Sequence, residues 1–117
     1  MINYNQIFQD RTKTLAIKII KCLSPIPYSD AVSIIRRQII RSSTSVASNY
    51  KAMCRARSEN ERFAKLSIVV EEADETLYWL EIIKDLNLIA VATLNELMSE
   101  TEEIVKALAT YRKKLKP

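Results

Sequence analysis

Apolar residues recur at alternating steps of three and four in four separate stretches of this chain. The first stretch runs Phe8, Thr12, Leu15, Ile19, Cys22. The second runs Ile35, Ile39, Ser42, Val46, Asn49, Met53 and carries two polar members. The third runs Phe63, Leu66, Val70, Ala73, Leu77, Leu80, and the fourth Leu94, Leu97, Thr101, Ile104, Leu108, Tyr111, Leu115. Such spacing lines one side of a helix and suits helices packed nearly parallel to one another. Composition points the same way. Glycine, which usually supplies the tight turns a sheet needs, is absent, and the only prolines are Pro25, Pro27 and Pro117. At 117 residues the chain is expected to be a single domain, 1–117, with one core.

Capping signals fall where the stripes begin. Asn3 with Gln6, Ser58 with Glu61, and Thr93 with Glu96 have capping-box spacing, and Ser29 before Asp30 is an N-cap candidate. The segment Ser24–Ser29 holds two prolines that cannot continue a helix. Asn87 is the candidate terminator of the third helix, because asparagine tolerates the left-handed conformation. The expected spans are about 4–23, 30–57, 59–86 and 93–115. Connections this short favour antiparallel neighbours. The fold expected is all-α, an antiparallel up-down-up-down four-helix bundle. A second line on the third helix, Ile68, Glu72, Thr76, Trp79, Ile83, is either the flank of a wide core face or a contact with another subunit. Tyr78 and Trp79 are the candidate interface anchors, since aromatic residues are favoured there.

Charge divides the chain. Residues 1–57 carry ten Lys/Arg and two Asp/Glu, whereas residues 58–117 carry eight and twelve. One side can therefore present a positive field while the net charge stays at +4. Arg37, Arg41, Thr44, Ser48, Lys51 and Arg55 share one face of the second helix, flanked by Arg36 and Arg57. Cations with interspersed hydroxyls suit a phosphate backbone, which makes Arg37, Arg41, Lys51 and Arg55 the candidate nucleic-acid contacts. A structural reading competes. Cations near a helix C-terminus favour the macrodipole, and acids on the third helix, Glu72 or Glu75, can pair with Arg37, Arg41 or Arg55.

Enzymatic readings find little support. There is no histidine, which removes histidine-based triads, histidine-containing zinc sites and the Glu-x-x-His di-iron motif. Without glycine there is no phosphate loop. Glu71, Glu72, Asp74 and Glu75 could meet a hard cation, but read first as a solvated, arginine-pairing face. No catalytic residue, cofactor or metal is expected. No signal-peptide pattern or apolar run of membrane length is present, so the expected setting is cytoplasmic, with Cys22 and Cys54 as buried free thiols. The small-residue run from Ser42 to Asn49 is poor helix former. It reads as a close-packing patch with a satisfied polar layer, or as a ligand site.

Two dense motifs carry a resemblance: RSSTSVASNYKAMCRARS from Arg41, and FAKLSIVVEEADETLYWLE from Phe63. They resemble the 23S ribosomal RNA intervening-sequence proteins, densely over 37–83 and in register along the rest. Arg41, Ser45, Asn49, Tyr50, Cys54, Arg55 and Arg57 match the second-helix motif. Glu71, Glu72, Asp74, Glu75 and Trp79 match that of the third. The resemblance implies a bundle assembling as a ring-like homopentamer, without catalytic residues. The chain is also similar to the accessory protein of diversity-generating retroelements, a basic pentamer that binds nucleic acid and a reverse transcriptase. The expected function is thus a non-enzymatic, homo-oligomeric, RNA- or DNA-binding protein without sequence preference. The alternative is a scaffold for a protein partner.

Overall fold

A computed structural model of the chain describes residues 2–115. Four helices follow one another: α1 (Tyr4–Leu23), α2 (Asp30–Cys54), α3 (Glu59–Asp85) and α4 (Val91–Lys114). Contacts join α1 to α2, α2 to α3 and α3 to α4, and a thinner seam closes the ring between α1 and α4. The fold is the four-helix bundle with consecutive helices antiparallel. At about 1.5 Å per residue, the 27 residues of α3 nearly span the molecule's 44 Å length. The helices therefore run along the long axis rather than across it.

Three of the four predicted caps form. Asn3 Oδ1 accepts from the Gln6 amide at 3.0 Å, and Ser29 and Ser58 hydroxyls accept from Val32 and Glu61 amides at 3.1 Å each. Each satisfies one of the amides a helix start leaves without a partner. Asn87 closes α3 at φ 53°. The Leu88 amide reaches back to the Ile83 carbonyl at 3.2 Å, and that of Asn87 to Lys84 at 3.0 Å. This is the Schellman arrangement, and half-buried Leu88 packs against the core that contains Ile83.

Two boundaries depart from expectation. Helix α4 begins at Val91 behind Ala90, which offers no side-chain cap, and Thr93 lies inside its first turn. Leu88 and Ile89 pack on the core, so burial rather than a hydroxyl sets where the chain re-enters the helix. Helix α2 ends at Cys54 instead of 57, because Arg55 and Ala56 bond to carbonyls only three residues back. That tightening frees Ser58 to take the extended conformation its capping role requires.

The α4 stripe is seated inward over Leu94, Leu97, Thr101, Ile104 and Leu108, as its spacing predicts. On α3 the buried line is Leu66, Val69, Ala73, Thr76, Leu80, Ile83. It takes Thr76 and Ile83 from the second line and leaves Phe63, Val70 and Leu77 half-buried. A similar turn on α2 buries Tyr50, at 1% exposure, and leaves Asn49 half-buried. Helix α1 buries Leu23 and Ala16 while Phe8 and Cys22 stay at the edge.

The buried serine and threonine hydroxyls all find partners, Ser43 donating to the Ile40 carbonyl at 3.4 Å. Thr12 and Thr101 each donate to the carbonyl one turn back, Phe8 and Leu97, at 2.7 Å. Ser42 and Thr76 meet across α2 and α3 at 2.8 Å, and Thr76 also donates to the Glu72 carbonyl at 2.9 Å. One directional chain fits this geometry: Ser42 donates to Thr76, which donates to Glu72. Replacing Ser42 by Ala or Thr76 by Val should each cost only about 0.5–1.5 kcal/mol in denaturant unfolding. Each leaves the other hydroxyl a carbonyl of its own helix, Glu72 for Thr76 and Ile39, at 3.2 Å, for Ser42. A loss as large as that of a buried leucine would contradict this account.

Candidate nucleic-acid interface

The outer face of α2 follows from its core. At about 100° per residue, the buried positions Ile39, Val46 and Met53 put Arg37, Arg41, Thr44, Ser48, Lys51 and Arg55 on the opposite side, and all six are exposed. The four candidate contacts are thus brought onto one surface. They are not equally available.

Arg41 is engaged with α3. Its guanidinium donates to Glu75 Oε2 at 2.6 Å and to Glu72 Oε2 at 3.3 Å. The hydrogen bond to Glu75, chiefly, and the charge of both acids hold its proton more firmly than usual. This realises the carboxylate–arginine pairing expected between these helices, through Arg41 alone. For Arg37, Lys51 and Arg55, no carboxylate lies within 4.0 Å among the described residues. Arg57 meets Glu61 at 3.8 Å. Arg36 turns the other way, donating to the Leu23 and Ile26 carbonyls at 3.1 and 2.6 Å, and so ties down the end of α1. Arg36 is structural. The Arg41 pair itself is half exposed, where ion pairs contribute little. Arg41→Ala should therefore lower unfolding stability by no more than about 1 kcal/mol, measured by urea denaturation.

Trp79 and Tyr78 sit on the same flank. Trp79 is half-buried, donates from Nε1 to Glu75 Oε2 at 3.2 Å, and stands edge-on to Tyr78 with ring centroids 5.2 Å apart. Tyr78 is 53% exposed, as are Ile34 at 51% and Ile68 at 39% on the same two helices. The line containing Trp79 is therefore divided, with Thr76 and Ile83 in the core and Ile68 outside it.

The small-residue run packs closely. Ser42, Ser43 and Val46 are buried, and Asn49 donates to the carbonyl and the hydroxyl of Ser45 at 3.0 Å each. These polar groups are satisfied within the protein. Cys22 and Cys54 are free and half-buried, and burial raises both thiols above their usual range. Around Cys54, the Gln9 and Tyr50 side chains and the charge of Arg62 pull the other way. Among the described residues no group of three or more acids or cysteines is placed to hold a metal ion. No described helix is long and apolar enough to cross a membrane.

An elongated all-α four-helix bundle defines the class. The chain belongs to the family of 23S rRNA-intervening sequence proteins, whose pattern it matches over residues 5–110. It is similar to the crystal structure of a protein of unknown function from the S23 ribosomal protein family of Bacteroides thetaiotaomicron VPI-5482. The TM-score is 0.84 at 26% identity, over 94% of this chain and 98% of that one. No curated protein matches the chain.

Sequence reasoning named Tyr50 as a motif residue without placing it in the core, and did not find the tie made by Arg36. Tyr50 stands one step off the three-four spacing of its stripe. Arg36 looks like any other cation until α1 is seen to end beside it.

Proposed function

We propose that this protein is a non-enzymatic, homo-oligomeric nucleic-acid-binding protein that uses the outer face of α2. The carrying observation is that Arg37, Lys51 and Arg55 are exposed on one face, with no carboxylate within 4.0 Å among the described residues. Such cations are available for phosphate, whereas Arg41 is committed to Glu72 and Glu75 and keeps those two acids from opposing the field. The contacts carry no base-reading geometry, so RNA or DNA would be bound without sequence preference. Tyr78 and Trp79, with exposed Ile34 and Ile68 on the same two helices, form the self-association surface. The assembly is a pentamer by family resemblance. A ring repeats each basic face and adds weak contacts through multivalency.

The test has two arms. Light scattering should give a mass of several protomers at micromolar concentration, and a stable monomer would overturn the assembly. Binding to a mixed-sequence oligonucleotide should weaken steeply as salt rises, because phosphate contacts release counterions. The second reading, a scaffold for a protein partner, rests on the same exposed Tyr78 and Ile68. It would be favoured by an intact oligomer that binds no nucleic acid at low salt.

A further inference from the structure

The topology gathers charge at one end of the bundle. Antiparallel order sets the last turns of α2 and α4 beside the first turns of α1 and α3. Lys51, Arg55 and Arg57 therefore join Arg112, Lys113 and Lys114 there, against Asp10, Glu59 and Glu61. Beneath this charge the thin seam between α1 and α4 opens into a cavity of about 840 Å³. Four aromatic residues, Tyr4, Phe8, Tyr50 and Tyr111, stand in its lining around buried Leu108 and exposed Lys114. Among the described residues no carboxylate lines it.

We propose that this cavity takes an unpaired base of a single-stranded nucleic acid, with the neighbouring phosphates on Lys114 and the cations around it. The proposal rests on the nucleic-acid reading above and adds to it a preference for single strands. Three observations favour this occupant. The volume lies within the roughly 300–1,000 Å³ of small-ligand sites, ample for one base. Tyr111 is half-buried and Tyr4 is exposed, so their rings offer faces on which any base can stack, whereas the Phe8 ring is already covered by the Arg11 guanidinium at 5.1 Å. Asn3, Asn5 and Thr110 in the same wall offer hydrogen-bond partners to a base edge that an aliphatic chain would leave unmet. A second copy docked about a two-fold axis is the poorer fit, because that contact would bring two identical cation clusters together; a head-to-tail contact in a ring is tested by the mass measurement below. Bases inside a duplex remain stacked and cannot enter.

The experiment compares a labelled single strand of about 12 nucleotides, within the site sizes that single-strand binders cover, with a duplex of equal length. Both are titrated at low salt with the full-length protein and with Tyr4→Leu and Tyr111→Leu. Tyr4 is 63% exposed, so its variant keeps the fold even if that of Tyr111 does not. The expected result is tighter binding of the single strand by wild type. Loss of a stacked ring should weaken single-strand binding by about tenfold, with duplex binding unchanged. Equal affinity for both forms, or folded variants that bind the single strand as well as wild type, overturns the cavity proposal while leaving the α2 reading intact. A change in oligomeric mass with unchanged single-strand affinity assigns the cavity to a second copy and also overturns it. No binding of either form at low salt overturns both readings together.

Discussion

Tyr50→Ala should destabilise the bundle by about 3–5 kcal/mol, enough to remove much of the stability of a domain this size. The ring is 1% exposed and lies 6.1 Å, centroid to centroid, from Phe8, so truncation leaves a cavity between α1 and α2. Urea unfolding measures the loss, and a change below about 1 kcal/mol would show that the site collapses freely. Tyr50→Phe separates the ring from its hydroxyl. Burial, with Cys54 and Tyr111 close by, raises that hydroxyl far above its ordinary value of 10.0. The raised group favours the neutral phenol in the folded state. Its stabilisation is present below the unfolded value near 10 and is lost as pH climbs towards the folded one. Wild type should therefore lose stability above about pH 10, and Tyr50→Phe should lose less over the same range. Cys22 and Cys54, whose thiols burial also raises, contribute the same sign from lower pH in both proteins.

Legibility in the sequence followed the strength of local signals. Asn3, Ser29, Ser58 and Asn87 could be assigned because each acts on backbone groups within three or four residues of itself. The α4 stripe was legible because every member of it that reaches the core keeps one strict spacing. The α3 core was not. Two lines run side by side there, and the members that face inward, drawn from both, are chosen by α2 and α4 rather than by α3 itself. Thr76 shows the consequence. It looks like a surface residue until Ser42 is placed 2.8 Å away. Among the candidate contacts, common placement on one face was readable, but availability was not. Arg37 and Arg41 differ by a single turn, yet only Arg41 stands opposite Glu72 and Glu75. The cavity was hidden for the same reason, since its walls come from the two ends of the chain and the last turns of α2.

Replacing Arg37, Lys51 and Arg55 together by Ala should nearly abolish nucleic-acid binding at moderate salt while leaving the helices intact. Each cation that meets a phosphate contributes about 0.9 to the slope of log affinity against log salt on duplex DNA, and about 0.7 on a single strand. Three lost contacts should flatten that slope by about two to three per engaged protomer, and an oligomer multiplies the loss. Stability should fall only modestly. The three side chains are exposed and have no carboxylate within 4.0 Å among the described residues. Only the favourable placement of Lys51 and Arg55 near the end of α2 is forfeited, at about 0.3–1 kcal/mol each. Arg41→Ala should flatten the slope less, because its charge already meets Glu72 and Glu75. Net charge alone could mimic a contact, so the control is Lys106→Ala, an exposed cation on α4. A local interface predicts a small effect there. If Lys106→Ala flattened the slope as much, per charge removed, as the three α2 replacements do, binding would depend on the overall field, and the α2 face would lose its special role.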